Sequence, residues 1–156
     1  MATNDKLVEV LNDLILINND RITGYEKARN ETKDIDVDLQ AIFSKMADDS
    51  RKYKTELSEE VTRLGGEIAT GNTGLGKIYQ VWMDVKATFT GNDRQSALES
   101  CEYGEDAAQK AYRDALGSDA EMSADTRQLI TSQKADLKSS HDTIKKLRDA
   151  HKAVNA

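Results

Sequence analysis

Proline is absent from all 156 residues, which removes the strongest breaker of helices. Glycine is nearly as confined, with six of its nine copies between Gly65 and Gly91. These two residues are the main punctuation of helical patterns, so helices on either side of that window are free to be long. Aromatics make up only 5% of the chain, too few for a typical β-sandwich core. A single cysteine, Cys101, excludes an intrachain disulfide and suits a reducing compartment. The longest aliphatic run, Leu14 to Ile17, is far short of the roughly 20 residues a membrane span needs. The first residues carry neither a basic nor an apolar leader region. A net charge of −6, with acids and bases interleaved, leaves no basic stripe for nucleic acid. The expectation is one cytoplasmic domain over residues 1–156, engaging neither nucleic acid nor membrane.

What the chain does have is apolar residues spaced three and four apart. Thr3 or Asn4 is expected to cap a first helix over residues 5–30, with Leu7, Leu11, Leu14, Asn18, Ile22, Tyr25 and Ala28 facing inward. After a short connector, with Asp34 or Asp36 as cap, residues 36–64 form a second helix. Its stripe is Leu39, Phe43, Met46, Ser50, Tyr53, Leu57, Val61 and Leu64. Gly65-Gly66 supplies the left-handed residue that ends it. A third helix, residues 93–116, carries Leu98, Cys101, Glu105, Ala108, Tyr112 and Ala115 and closes at Gly117. Ser123 caps a fourth, residues 123–152, with Ile130, Gln133, Leu137, Ser140, Ile144 and Leu147 inward and a basic C-terminal end.

The 28 residues from Gly65 to Asn92 decide the topology. A helix of about 25 residues is about 38 Å long. A short loop would serve if helices two and three were antiparallel neighbours. A connection that travels back along the bundle needs the full length. Helices two and three are therefore expected to run parallel: two antiparallel hairpins joined by a long crossover. A short helix over residues 77–90, with Ile78, Val81, Trp82, Val85 and Phe89 on one face, lies within that crossover.

Four inward positions are polar: Asn18, Ser50, Glu105 and Gln133. Satisfied core polars of this kind set helix register. A buried, unpaired Glu105 would cost several kcal/mol, and helical phase offers Arg21, Lys138 and His141 as partners.

Leu11-Asn12-Asp13-Leu14, Asn18-Asn19-Asp20, Gly24-Tyr25, Leu64-Gly65-Gly66 and Trp82-Met83-Asp84-Val85-Lys86 carry a resemblance, with Gly91-Asn92-Asp93-Arg94 and above all Cys101-Glu102-Tyr103-Gly104-Glu105-Asp106-Ala107-Ala108. Over residues 5–148 the chain resembles a bacterial ferritin-like four-helix-bundle family of unknown function, a distant relative of rubrerythrin and ferritin. The resemblance implies an all-α, ferritin-like four-helix bundle and no particular activity. The wider ferritin-like pattern asks for Glu, Glu-x-x-His, Glu and Glu-x-x-His on successive helices. Laid on this chain, it falls on Asn18, on Ser50 with Tyr53, on Glu105, and on Lys138 with His141. Only Glu105 and His141 match. Too few carboxylates survive for a pair of irons, so neither a metal nor a cofactor is expected.

The remaining signals carry less. Gly71-Asn72-Thr73-Gly74-Leu75-Gly76-Lys77 has the spacing of a phosphate-binding loop, but Ile78 stands where a hydroxyl is required and no strand precedes it. Cys101 reads as a packing residue, His151 as a solvated one, and Glu102 and Asp106 as an acidic shoulder beside Glu105. Trp82, Met83 and Phe89 read as anchors for the short helix.

The expected role is that of a non-catalytic bundle in stress physiology, acting through protein contacts or as a homo-oligomer, a dimer first. One alternative is a divergent metal-dependent oxidase or peroxidase using Glu105 and His141 with Glu102 in support. Another is a small-molecule binding module, its pocket lined by a polar core layer of Asn18, Ser50, Tyr53, Glu102, Glu105, Gln133 and His141, which is also the candidate degenerate metal or ligand site.

Overall fold

A computed structural model describes residues 2–31, 37–71 and 94–154. Within them the chain forms four helices and no strand: α1 (Ala2–Glu31), α2 (Val37–Arg63), α3 (Arg94–Leu116) and α4 (Ala124–Val154). None of the described helices is long and apolar enough to cross a membrane. The connector with Asp34 and Asp36, most of the phosphate-loop-like stretch, the expected short helix with Trp82, Met83 and Phe89, and the His151 side chain lie outside the described residues.

Pairs of residues give each neighbour's direction. Tyr25 meets Phe43 with ring centroids 5.8 Å apart, while Leu11 and Leu14 share a cluster with Leu57 and Val61. Rising numbers on α1 thus meet falling numbers on α2. The same reversal relates α3 to α4, where the Tyr112 hydroxyl donates to Gln133 at 2.7 Å, Gln109 donates to the Lys134 carbonyl and Glu102 pairs with Arg148.

The inward stripes of α2, α3 and α4 are buried where the spacing placed them, with Leu64 and Leu147 only partly covered. On α1 the stripe differs at one step. Ile22 is half-buried on the outer face, and Arg21 is the fully buried residue. The heptad alternation continues through Leu14, Asn18, Arg21 and Tyr25, and the helix keeps that geometry even though arginine stands at the position. The start of α1 also differs. Ala2, a strong helix former, is already helical, so Thr3 and Asn4 lie inside the first turn instead of capping it.

The other helix ends follow capping chemistry. The Thr126 amide donates to Ser123 Oγ at 3.1 Å, giving α4 its N-cap. Gly65 takes φ 79° after α2, and the amides of Gly65 and Gly66 return to the carbonyls of Thr62 and Val61, a Schellman ending. Gly66 has a second reason to lack a side chain: a Cβ there would lie 2.6 Å from a Val8 methyl on α1.

From that ending the chain runs along α1. Asn12 donates to the Glu67 carbonyl at 2.9 Å and accepts from the Ala69 amide at 2.9 Å. Asn19 donates to the Gly71 carbonyl at 2.6 Å. Contacts at Val8, Asn12 and Asn19 thus lead the segment toward the C-terminal end of α1.

Candidate functional site

Two apolar clusters fill the bundle. One holds Leu7, Leu11, Leu14, Leu57, Val61 and Tyr112; the other holds Tyr25, Phe43, Met46, Leu98, Cys101 and Ile144. Along the helices, buried polar residues stand where the two sets meet: Asn18, Asp20 and Arg21 on α1, Ser50 on α2, Glu105 on α3 and Ser140 on α4, with Gln133 one turn into the first set and Thr126 apart from them at the start of α4. This polar layer is the candidate site.

Arg21 and Glu105 are its charged centre, both side chains fully withdrawn from solvent. Glu105 Oε1 accepts from Arg21 Nη2 at 2.5 Å, from Arg21 Nε at 3.1 Å and from the Tyr25 hydroxyl at 2.5 Å. Arg21 Nη1 donates to Ser50 Oγ on α2. The guanidinium carbon also lies 5.3 Å from the Tyr25 ring centroid, within cation–π range. One guanidinium therefore ties three helices together. Burial is the largest single influence on Arg21 and would lower its pKa, but the Glu105 charge and hydrogen bond together with the neighbouring tyrosines outweigh it and the net direction is up. The Tyr25 hydroxyl is pushed well up, by burial first and by Glu105 second.

The second half of the layer is neutral. Asn18 Nδ2 donates to the Leu14 carbonyl at 2.9 Å and to the Tyr112 hydroxyl at 2.8 Å. That hydroxyl donates on to Gln133, whose Nε2 reaches the Tyr53 carbonyl and Glu56 Oε1, each at 3.2 Å. Tyr53 enters the layer through its backbone, with its side chain in the apolar cluster. Among the described residues, two buried oxygens, Asn18 Oδ1 and Glu105 Oε2, accept no hydrogen bond. Cys101, one turn before Glu105, is fully buried, and burial together with the Glu105 charge pushes its thiol well up, the direction of an unreactive sulfur.

Three residues considered with this layer stand elsewhere. Lys138 is exposed and pairs with Asp142 at 2.9 Å. His141 follows the inward Ser140 by one residue, about 100° around α4, and so faces the flank of α3. It meets Asp106 and Glu102 there and does not reach Glu105. Glu102 likewise belongs to that flank and pairs with Arg148. Of the three partners that helical phase offers Glu105, Arg21 is the one in place.

Sequence reasoning did not find Asn12 and Asn19, which hold the segment after α2 through backbone groups. Both occur in the short Asn-containing motifs near the start of the chain, but the backbone groups they bind are more than 50 positions away.

No match is found among curated proteins. The model of a family described as a domain of unknown function, DUF2383, matches residues 6–118, which takes in most of α1, all of α2 and α3, and both residues of the buried ion pair. With most of its length matched, the chain belongs to the DUF2383 family.

Proposed function

We propose that this protein is a non-catalytic bundle of ferritin-like topology that works through protein contacts or self-association. The ferritin-like reading is supported by the sense of the helices. Asn18 faces Tyr112 while Arg21 faces Glu105, so α1 opposes α3 as it opposes α2. Helices α2 and α3 are then parallel, and the segment fastened to Asn12 and Asn19 starts back along the bundle as a crossover requires.

The observation that carries the non-catalytic reading is the Arg21 guanidinium bonded to Glu105 and Ser50. Ferritin-like di-metal centres gather carboxylates from every helix and imidazoles from two. Here the layer offers two carboxylates, from α1 and α3 alone, of which Glu105 is already neutralised by a fixed cation, beside two amides and two serine hydroxyls, with no imidazole. These residues do not fit such a centre. Tyr103 and Val37, 67% and 66% exposed, offer apolar surface for contacts instead.

Metal analysis of the full chain purified without chelator tests this reading. Iron or manganese content is expected to be the same in wild type and Glu105→Ala. Near-stoichiometric metal lost in Glu105→Ala would overturn it. Sedimentation at two concentrations tests self-association, with a dimer mass expected.

A further inference from the structure

Outside the buried layer, α3 and α4 bring three ligand-type side chains to one place. Glu102 and Asp106 are four apart on α3 and so share a face, and His141 on α4 lies opposite them. His141 Nε2 is 2.6 Å from Asp106 Oδ1 and 3.8 Å from Glu102 Oε1, and donor atoms of all three lie within 4.8 Å of one another. The surroundings orient them. Asp142 Oδ1 sits 3.3 Å from His141 Nδ1, so when an ion displaces the proton that Nε2 shares with Asp106, an Nδ1–H donated to Asp142 holds the ring with its Nε2 lone pair toward the ion. Arg148 holds Glu102 by Oε2, which leaves Oε1 turned toward the imidazole. Glu102 and His141 are 13% and 18% exposed, while Asp106 is 64% exposed, so the group is walled on two sides and open on the third.

We propose that Glu102, Asp106 and His141 form a binding site for a divalent cation of the zinc type. One imidazole nitrogen with two carboxylates is a donor set zinc accepts at about 2.0–2.2 Å, with water in the fourth position. Two ligands at such distances from one ion sit about 3–4 Å apart, so the exposed Asp106 carboxylate needs only a small rotation away from Nε2. Magnesium and calcium favour sets made of oxygen alone. The charges around the ion are the carboxylates of Glu102, Asp106 and Asp142, set against Arg148, which holds Glu102 and Asp149, and Lys138, which pairs with Asp142 at 2.9 Å. The site is independent of Arg21 and Glu105, so it stands or falls apart from the proposed role of the core.

The chain has only two histidines, His141 and His151, which makes the test direct. Zinc chloride is titrated into the full wild-type chain while imidazole nitrogen resonances are followed by NMR. The expected result is that one equivalent shifts the His141 signals and leaves those of His151 in place. Asp142→Asn is expected to weaken binding by about 10–100-fold, Asp106→Asn by at least as much, and Glu105→Gln not at all. His141 resonances indifferent to zinc, or affinity unchanged in Asp106→Asn, would overturn the proposal.

Discussion

Arg21 on α1 and Glu105 on α3 meet through a single carboxylate oxygen, Oε1, which takes both Nη2 and Nε of the guanidinium. Sliding α1 against α3 would strand a buried charge, and because Arg21 also donates to Ser50, sliding it against α2 would leave a buried guanidinium N–H unpaired. A buried ion pair is weak evidence of net stability, since removing two charges from water offsets most of their attraction. What it supplies here is one permitted alignment of three helices, between two apolar clusters that would tolerate several.

The close approach of α1 to the end of α2 leads to the first prediction. A Cβ at Gly66 would stand 2.6 and 2.8 Å from the two Val8 methyls, and a β-branched side chain cannot swing away freely. Gly66→Ala is expected to destabilise the protein by about 1–3 kcal/mol in urea unfolding. Adding Val8→Ala is expected to recover part of that loss. Equal stability of Gly66→Ala and wild type would contradict the packing described.

Asn12 fastens the segment after α2 with two hydrogen bonds, one given and one received. Asn12→Ala is expected to cost about 1–3 kcal/mol, two ordinary hydrogen bonds. Hydrogen exchange at the Ala69 amide locates the loss: its protection is expected to fall in Asn12→Ala while protection in the middle of α4 stays unchanged.

Alkaline pH tests the buried hydroxyls and thiol. Tyr25, Tyr53 and Tyr112 are all pushed above the usual 10.0, and Cys101 above 9.0, with burial the largest cause in each. Once pH exceeds those ordinary values, the unfolded chain has lost protons that the native state keeps, so stability falls with rising pH. The contribution is fully present below about pH 9 and is lost upward through the raised folded values. The urea midpoint is expected to drop steadily from about pH 9 to 11, less steeply in Cys101→Ala. A midpoint that holds level across this range would show these groups to be solvated.

Much of the fold was legible because helical spacing is a local signal. The stripes of α2, α3 and α4, the Ser123 cap and the left-handed Gly65 all follow from neighbours within a few positions. Arg21 was not legible as a core residue, because position alone cannot show that a charge will find Glu105, 84 residues away, and Ser50 on a third helix. Choosing Ile22 over Arg21 obeyed hydrophobicity and broke the heptad; the structure keeps the heptad. His141 was recognised as ligand-capable and grouped with Glu102, which it meets, but also with Glu105, which it does not reach. One residue past the inward Ser140 is enough to turn it from the core to the flank of α3. The strap at Asn12 and Asn19 gave no local signal, since its partners are backbone groups that any sequence would offer.

A double-mutant cycle on Arg21 and Glu105, followed by urea unfolding, tests the central claim most directly. Arg21→Met leaves Glu105 buried without its cation, and Glu105→Gln leaves Arg21 without its anion while still accepting from Tyr25. Each single variant is expected to lose about 3–5 kcal/mol. The double variant is expected to lose no more than either single one, the mark of a pair whose members are needed only for each other. Additive losses would mean that the two residues act separately, and the mid-height layer would not be the structural unit described.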